Sequence, residues 1–140
     1  MKVKNLKLIA RTEDDIKVVS AHLQDSIVNV SDIASLEQNK IFLIQLSRFM
    51  WEDVEKGVFR KNKRIRSVLK FENVIKVHSK NINQTKKDKF LDFLTIETNQ
   101  MPDNNYEMKI VFAGDSVIKV TSEVIEVTLD DQGSAWDTKN

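Results

Sequence analysis

The chain has no cysteine among its 140 residues, which excludes disulfides, thiolate metal sites and cysteine nucleophiles. One proline and three glycines leave little material for a flexible linker. Histidine is scarce too, with only His22 and His78 to supply imidazole chemistry. Long apolar runs are missing: Ile41–Ile44 is far short of the roughly 20 residues that span a bilayer. The opening MKVKNLKLIARTEDD carries basic residues but no apolar stretch of signal-peptide length. A cytoplasmic protein without membrane contact is the expectation.

What is present is a globular composition, 41% apolar and 31% charged, in a chain long enough for one domain with a real core. The expected layout is a single domain over 1–140, with 1–11 as an N-terminal strand or arm and 132–140 as a polar C-terminal tail. Charge is segregated. Between Lys56 and Lys89 stand twelve Lys/Arg against only Glu72 and Asp88, a local charge of +10, while residues 1–55 carry −2 and residues 90–140 carry −7. A near-neutral total therefore conceals a basic middle between acidic ends, which points either to an anionic partner or to docking of the middle on the ends within one fold.

Thr12 followed three positions later by Asp15 predicts a helix start, and Ile16, Val19 and Leu23 at helical spacing predict a helix over Glu13–Gln24. Everything after it reads as strands: Ile27 to Ile33, Ile41–Phe49, Ile65–Phe71, Val74–Ser79, Phe90–Thr98, Met108–Ala113 and Val117–Leu129. In the last hairpin, a two-residue turn splits the apolar set between faces. A three-residue loop puts Ile110 and Phe112 on the same face as Ile118 and Val120, so the odd loop is predicted. The apolar phase then moves from even to odd numbers at Ile125, Val127 and Leu129, which demands a bulge or bend near Thr121–Glu123. At an offset of 47 residues, Ile27, Val28, Val30, Leu43, Ile44 and Leu46 fall on Val74, Ile75, Val77, Phe90, Leu91 and Phe93; two similar hairpins explain this more plainly than a duplication. The fold class expected is α+β, one N-terminal helix packed on a bent, mainly antiparallel sheet of about seven strands, with a partial barrel as one form of it.

Candidate chemistry is thin. The segment Glu55–Arg66, EKGVFRKNKRIR, holds six basic residues in twelve with Phe59 inside and Trp51 nearby, the makings of a phosphate-contacting arm with an aromatic for stacking. The plainer reading is a solvated loop, with Lys/Arg blunting a sheet edge. The binding candidates are Trp51, Arg60, Lys61, Lys63, Arg64, Arg66 and Trp136. A small enzyme or ligand site built on His22, His78 and an Asp is the alternative, and a homodimer joined through a sheet edge is another. No GxSxG, HExxH, Walker or Rossmann pattern occurs. Of the carboxylate pairs, Asp14/Asp15 reads as helix capping and Asp130/Asp131 as part of a solvated tail. No catalytic residue, metal or cofactor is assigned.

SAHLQDSI (Ser20–Ile27), LSRFMWE (Leu46–Glu52), FENVIKVHSKNI (Phe71–Ile82), FAGDSVIKVTSEVIEVTLDD (Phe112–Asp131) and GSAW (Gly133–Trp136) together resemble a small bacterial, mainly alphaproteobacterial, family, domain of unknown function 2948. The resemblance implies no activity and no catalytic residues; it places Trp51, Glu52, Gly114 and Trp136 within the family pattern. The resulting expectation is a non-enzymatic cytoplasmic binding module. Its partner is a protein or another anionic molecule, RNA among them, met through the basic loop.

Overall fold

Glu13, Asp14 and Asp15 open the helix, where carboxylates favour the positive end of the helix dipole. A computed structural model describes residues 6–50, 63–83, 85–86 and 88–137. In it the Thr12 side chain accepts the Asp15 N–H at 3.1 Å, and Asp15 accepts the Arg11 N–H at 3.0 Å. The helix α1 runs Glu13–Leu23 and buries Ile16, Val19, Ser20 and Leu23. It ends because Gln24 turns extended and Asp25 enters the left-handed region at φ 65°.

The described residues form ten strands: β1 (Lys7–Ala10), β2 (Ile27–Asn29), β3 (Ile33–Leu36), β4 (Ile41–Phe49), β5 (Lys63–Phe71), β6 (Val74–Lys80), β7 (Phe90–Gln100), β8 (Tyr106–Phe112), β9 (Ser116–Ser122) and β10 (Val127–Asp137). All pair antiparallel. The expectation of about seven strands falls short for three physical reasons. Residues 7–10 pair with β10. The apolar stretch from Ile27 is broken by a 3₁₀ turn at Val30–Asp32, where the Asn29 side chain accepts the Ser31 N–H and starts a new strand. The last expected strand is interrupted at residues 123–126 and resumes through to Asp137, so β10 occupies much of the stretch read as tail.

The order β1-β10-β5-β4-β2-β7-β8-β9-β6, with β3 beside the first half of β4, forces curvature. β5 and β6 stand six places apart in that order, roughly 29 Å on a flat sheet at about 4.8 Å per strand. Only Glu72 and Asn73 join them, a reach of about 11 Å. The sheet must therefore curl until its two halves face each other, and β9 crosses to β10 over residues 123–126 in the same way. This is the bend that the phase change from Val120 to Ile125 predicted. The sheet remains open, ending at β1 and β6.

The hairpin register agrees with the three-residue loop: Phe112 opposes Ser116 and Ile110 opposes Ile118 across Ala113–Asp115. Gly114 at φ 79° and Asp115 at φ 62° supply the left-handed residues that such a loop needs. The two segments of the 47-residue offset have different partners, β2 with β4 and β7, β6 with β9 alone. The match is one of pattern only.

The core fills the concave side. Each half contributes a cross-strand aromatic pair, Phe42 with Phe71 at 6.0 Å between ring centres and Phe93 edge-on to Phe112 at 6.3 Å. The helix packs on β7, β1 and β4. Its Ser20 hydroxyl accepts the Ile96 N–H at 3.0 Å and shares a hydrogen with Thr95. That N–H lies just past the bulge at Phe93/Thr95 in β7, so a helix side chain satisfies a backbone group beside the interrupted ladder.

Candidate functional site

The inward residues of β4 are Phe42, Ile44, Leu46 and Arg48, followed in the same phase by Met50 just past the strand, all buried. Alternation thus carries an arginine into the core, where its side chain is 0% exposed beside an Asp131 side chain that is also 0% exposed. Arg48 Nε donates to Asp131 Oδ1 at 2.8 Å and Nη2 to Oδ2 at 2.7 Å, a two-pronged pair. Ser67 Oγ on β5 donates to Oδ1 at 2.6 Å, and the Leu6 N–H donates to Oδ2 at 2.8 Å. Burial pushes the Asp131 carboxyl up. The Arg48, Ser67 and Leu6 donors together with the Arg48 charge outweigh it, so its pKa falls below the ordinary aspartate value. The expectation of a solvated Asp130/Asp131 pair is therefore corrected for Asp131. Its cue was in the sequence, since Asp131 continues the inward phase of Ile125, Val127 and Leu129.

With Ile65, Ser67, Leu69 and Phe71 facing inward, β5 turns Arg64, Arg66, Val68 and Lys70 outward. Opposite residues share a face, so one row reads Gln132, Arg66, Ser47 and Ile27, and the next sets Arg64 between Phe49 and the backbone of Trp136. Lys63, Arg64 and Arg66 thus stand on a strand rather than in a loop. Arg64 Nη1 donates to the carbonyls of Asp25 and Ser47, each at 3.1 Å, clamping the helix exit to β4. Arg66 is exposed and makes no ion pair among the described residues. Lys7 and Lys70 share this outward face, with Lys70 3.7 Å from Glu72 and Asp130 directly opposite Lys7. Trp51, Arg60 and Lys61 lie outside the described residues. The structure brings Arg64, Arg66 and the Trp136 backbone together at the hairpin end of β4 and β5.

Between β3 and β6 runs a cavity of about 510 Å³ lined by Val30, Ile33, Ile41, Phe42, Val74, Ile75, Val77, Ile82 and Ile118, with Ser35, Glu37, Lys40, Lys76 and Ser79 among them. Two of its lining residues are joined by the backbone, the Val74 N–H donating to the Lys40 carbonyl at 2.9 Å. Sequence periodicity gave no sign of it, because it arises from two strands that never pair. Neither histidine lines it. His22, half-buried on α1, hydrogen-bonds the Val18 carbonyl at 2.9 Å, and His78 is exposed on β6 opposite Lys119. Among the described residues no three His, Asp or Glu side chains are placed to hold a metal ion, and no helix is long and apolar enough to cross a membrane.

Among the described residues, one α-helix on a large, open, antiparallel sheet defines an α+β protein with a basic outward face and a cavity at the open seam. The chain belongs to the family described as protein of unknown function (DUF2948), which it matches over residues 6–140. No curated protein and no solved structure matches it.

Proposed function

We propose that this chain is a non-enzymatic binding module, an incompletely closed barrel whose outward β4–β5–β10 face takes an anionic partner, with single-stranded RNA the chemistry it fits best. One observation supports this above the rest: Arg64 and Arg66 project from the same face of β5, in adjacent rows beside Phe49. They stand at the end of the hairpin whose connection carries Trp51, Arg60 and Lys61. Guanidinium groups meet phosphates, and aromatic rings offer bases a stacking surface. Arg66 is the exposed cation of the pair, while Arg64 is held by two carbonyls and gives the face a fixed positive point.

The test is fluorescence anisotropy of a labelled single-stranded RNA against the full chain between about 50 and 200 mM salt. Binding is expected to weaken steeply with salt, and Arg66→Glu to weaken it about tenfold and flatten the salt slope by about one to two units. Unchanged anisotropy at the lowest salt, or an Arg66→Glu protein that binds as well as the original, removes the reading. An acidic protein partner captured in its place requires the same Arg66 dependence without RNA.

A further inference from the structure

We propose that the seam between β3 and β6 is a binding site for a small amphipathic anion, an aliphatic chain ending in a carboxylate. It is independent of the anionic-partner face, which lies around the other end of β4. The site is built in three parts. Its floor is the buried Val30, Phe42, Val74 and Ile118. Its walls are Ile33 and Ile41 on one side and Ile75, Val77 and Ile82 on the other. Its polar groups are Lys40, Lys76 and Glu37 with two serines. At about 510 Å³ the space falls within the range of small-molecule sites, which are apolar enclosures with a few polar groups.

The lining decides the chemical class. Eight of the nine apolar residues are Val or Ile, and Phe42 is the one ring. Aliphatic walls match a flexible hydrocarbon chain better than a planar ring, which gains most from aromatic faces set against it. Ile75 carries a second indication. A register shift between Val74 and Lys76 disrupts the β6 ladder at Ile75, and bulges re-aim side chains in this way. Ile75 lines the cavity while 47% exposed, an apolar group left partly in water.

The headgroup follows from the charges. Lys40 already holds Glu123 at 3.0 Å, and Glu37 is the acidic side chain of the lining. Lys76, also in the lining, makes no ion pair among the described residues and is exposed. It is therefore the cation that a carboxylate meets, with Glu37 setting a preference against more highly charged anions.

The experiment uses the full chain with decanoate below its aggregation threshold, read by calorimetry and by amide NMR shifts, and decanol as the uncharged control. Saturable binding is expected, with shifts centred on Ile33, Val77 and Ile118. Decanol is expected to bind about tenfold more weakly, and Lys76→Glu to weaken decanoate about tenfold while leaving decanol unchanged. Ile75→Glu, at an exposed position, is expected to weaken both ligands and to keep the thermal midpoint. Shifts confined to the Phe49–Arg66 face, or an affinity indifferent to both Lys76→Glu and Ile75→Glu, overturn the proposal. RNA binding unaffected by Lys76→Glu separates this site from the anionic-partner face.

Discussion

At the scale of single residues, the Arg48–Asp131 pair is the costliest thing to disturb. Both side chains are out of water, so removing one leaves the other charged and unpaired, a loss of about 3–5 kcal/mol in comparable buried pairs. Arg48→Met and Asp131→Ala are each expected to lower unfolding free energy by about that amount in urea titration. The double replacement Arg48→Met with Asp131→Leu is expected to recover part of the loss, because no lone charge remains. The pH dependence has a definite sign. The folded-state pKa of Asp131 is lowered, so its contribution is complete above the ordinary aspartate range and disappears as pH falls through the folded value. Stability measured from pH 7 downward should therefore hold, as far as this group is concerned, until about pH 4 and then decline, with a shallower decline in Asp131→Asn. Ser26 is the opposite case. Its buried hydroxyl finds no partner among the described residues, so Ser26→Ala is expected to leave stability unchanged or raise it by up to about 1 kcal/mol in the same titration.

At the scale of elements, the helix illustrates how local and tertiary causes divide. Its start was legible, since Thr12 and Asp15 form the cap that their spacing predicts. Asp15 also accepts the Arg11 N–H, and this bond, with help from Thr12, holds its carboxyl below the ordinary value against an opposing effect of burial. The role of Ser20 was not legible, because it depends on the bulge in β7 that the helix meets. Ser20→Ala removes the acceptor of a buried N–H and is expected to cost about 1–3 kcal/mol. Hydrogen exchange at Ile96 should quicken more than at Met108, whose side chain is equally in the core. The final hairpin was legible down to its register, because only a loop of odd length keeps Ile110, Phe112, Ile118 and Val120 on one face. The strand after Gln132 was not: between Gln132 and Trp136 β10 advances four residues while β5 advances two, with Gly133 at φ 73°. Alternation loses its meaning through such a bulge, so polar residues there read as tail.

At the scale of the whole molecule, the charge asymmetry takes a physical form. Among the described residues, basic side chains of the middle of the chain stand on the outward face of β5, on the edge strand β6, where Lys76 lines the seam and His78 and Lys80 are exposed, and at Lys86 and Lys89 before β7. The first cluster lies at the hairpin end of β4 and β5, and the second flanks the seam. The acidic flanks enter the same sheet: Asp130 opposes Lys7, and Glu123 reaches Lys40. The cations in both pairs belong to the first 55 residues rather than to the basic middle. The topology sets a folding expectation as well. β1 pairs with β10, and Leu6 bonds Asp131 across 125 positions of chain. Closing such loops is slow, so stopped-flow refolding is expected in the millisecond-to-second range rather than in microseconds.

By itself the sequence determined the things that local chemistry enforces. These are the absence of thiol chemistry, the capped helix, the strand positions from Ile41 to Phe112, the odd hairpin loop and the bend after Val120. Each rests on neighbours in the chain, and period or steric demand is enough to read them. Tertiary structure alone decided which strands became neighbours, and with that everything about the sites. Arg48, Ser67 and Asp131 come from three strands and meet because β4, β5 and β10 are adjacent. The seam cavity exists because β3 and β6 stop short of pairing, and no residue records in its own pattern a partner that it fails to have.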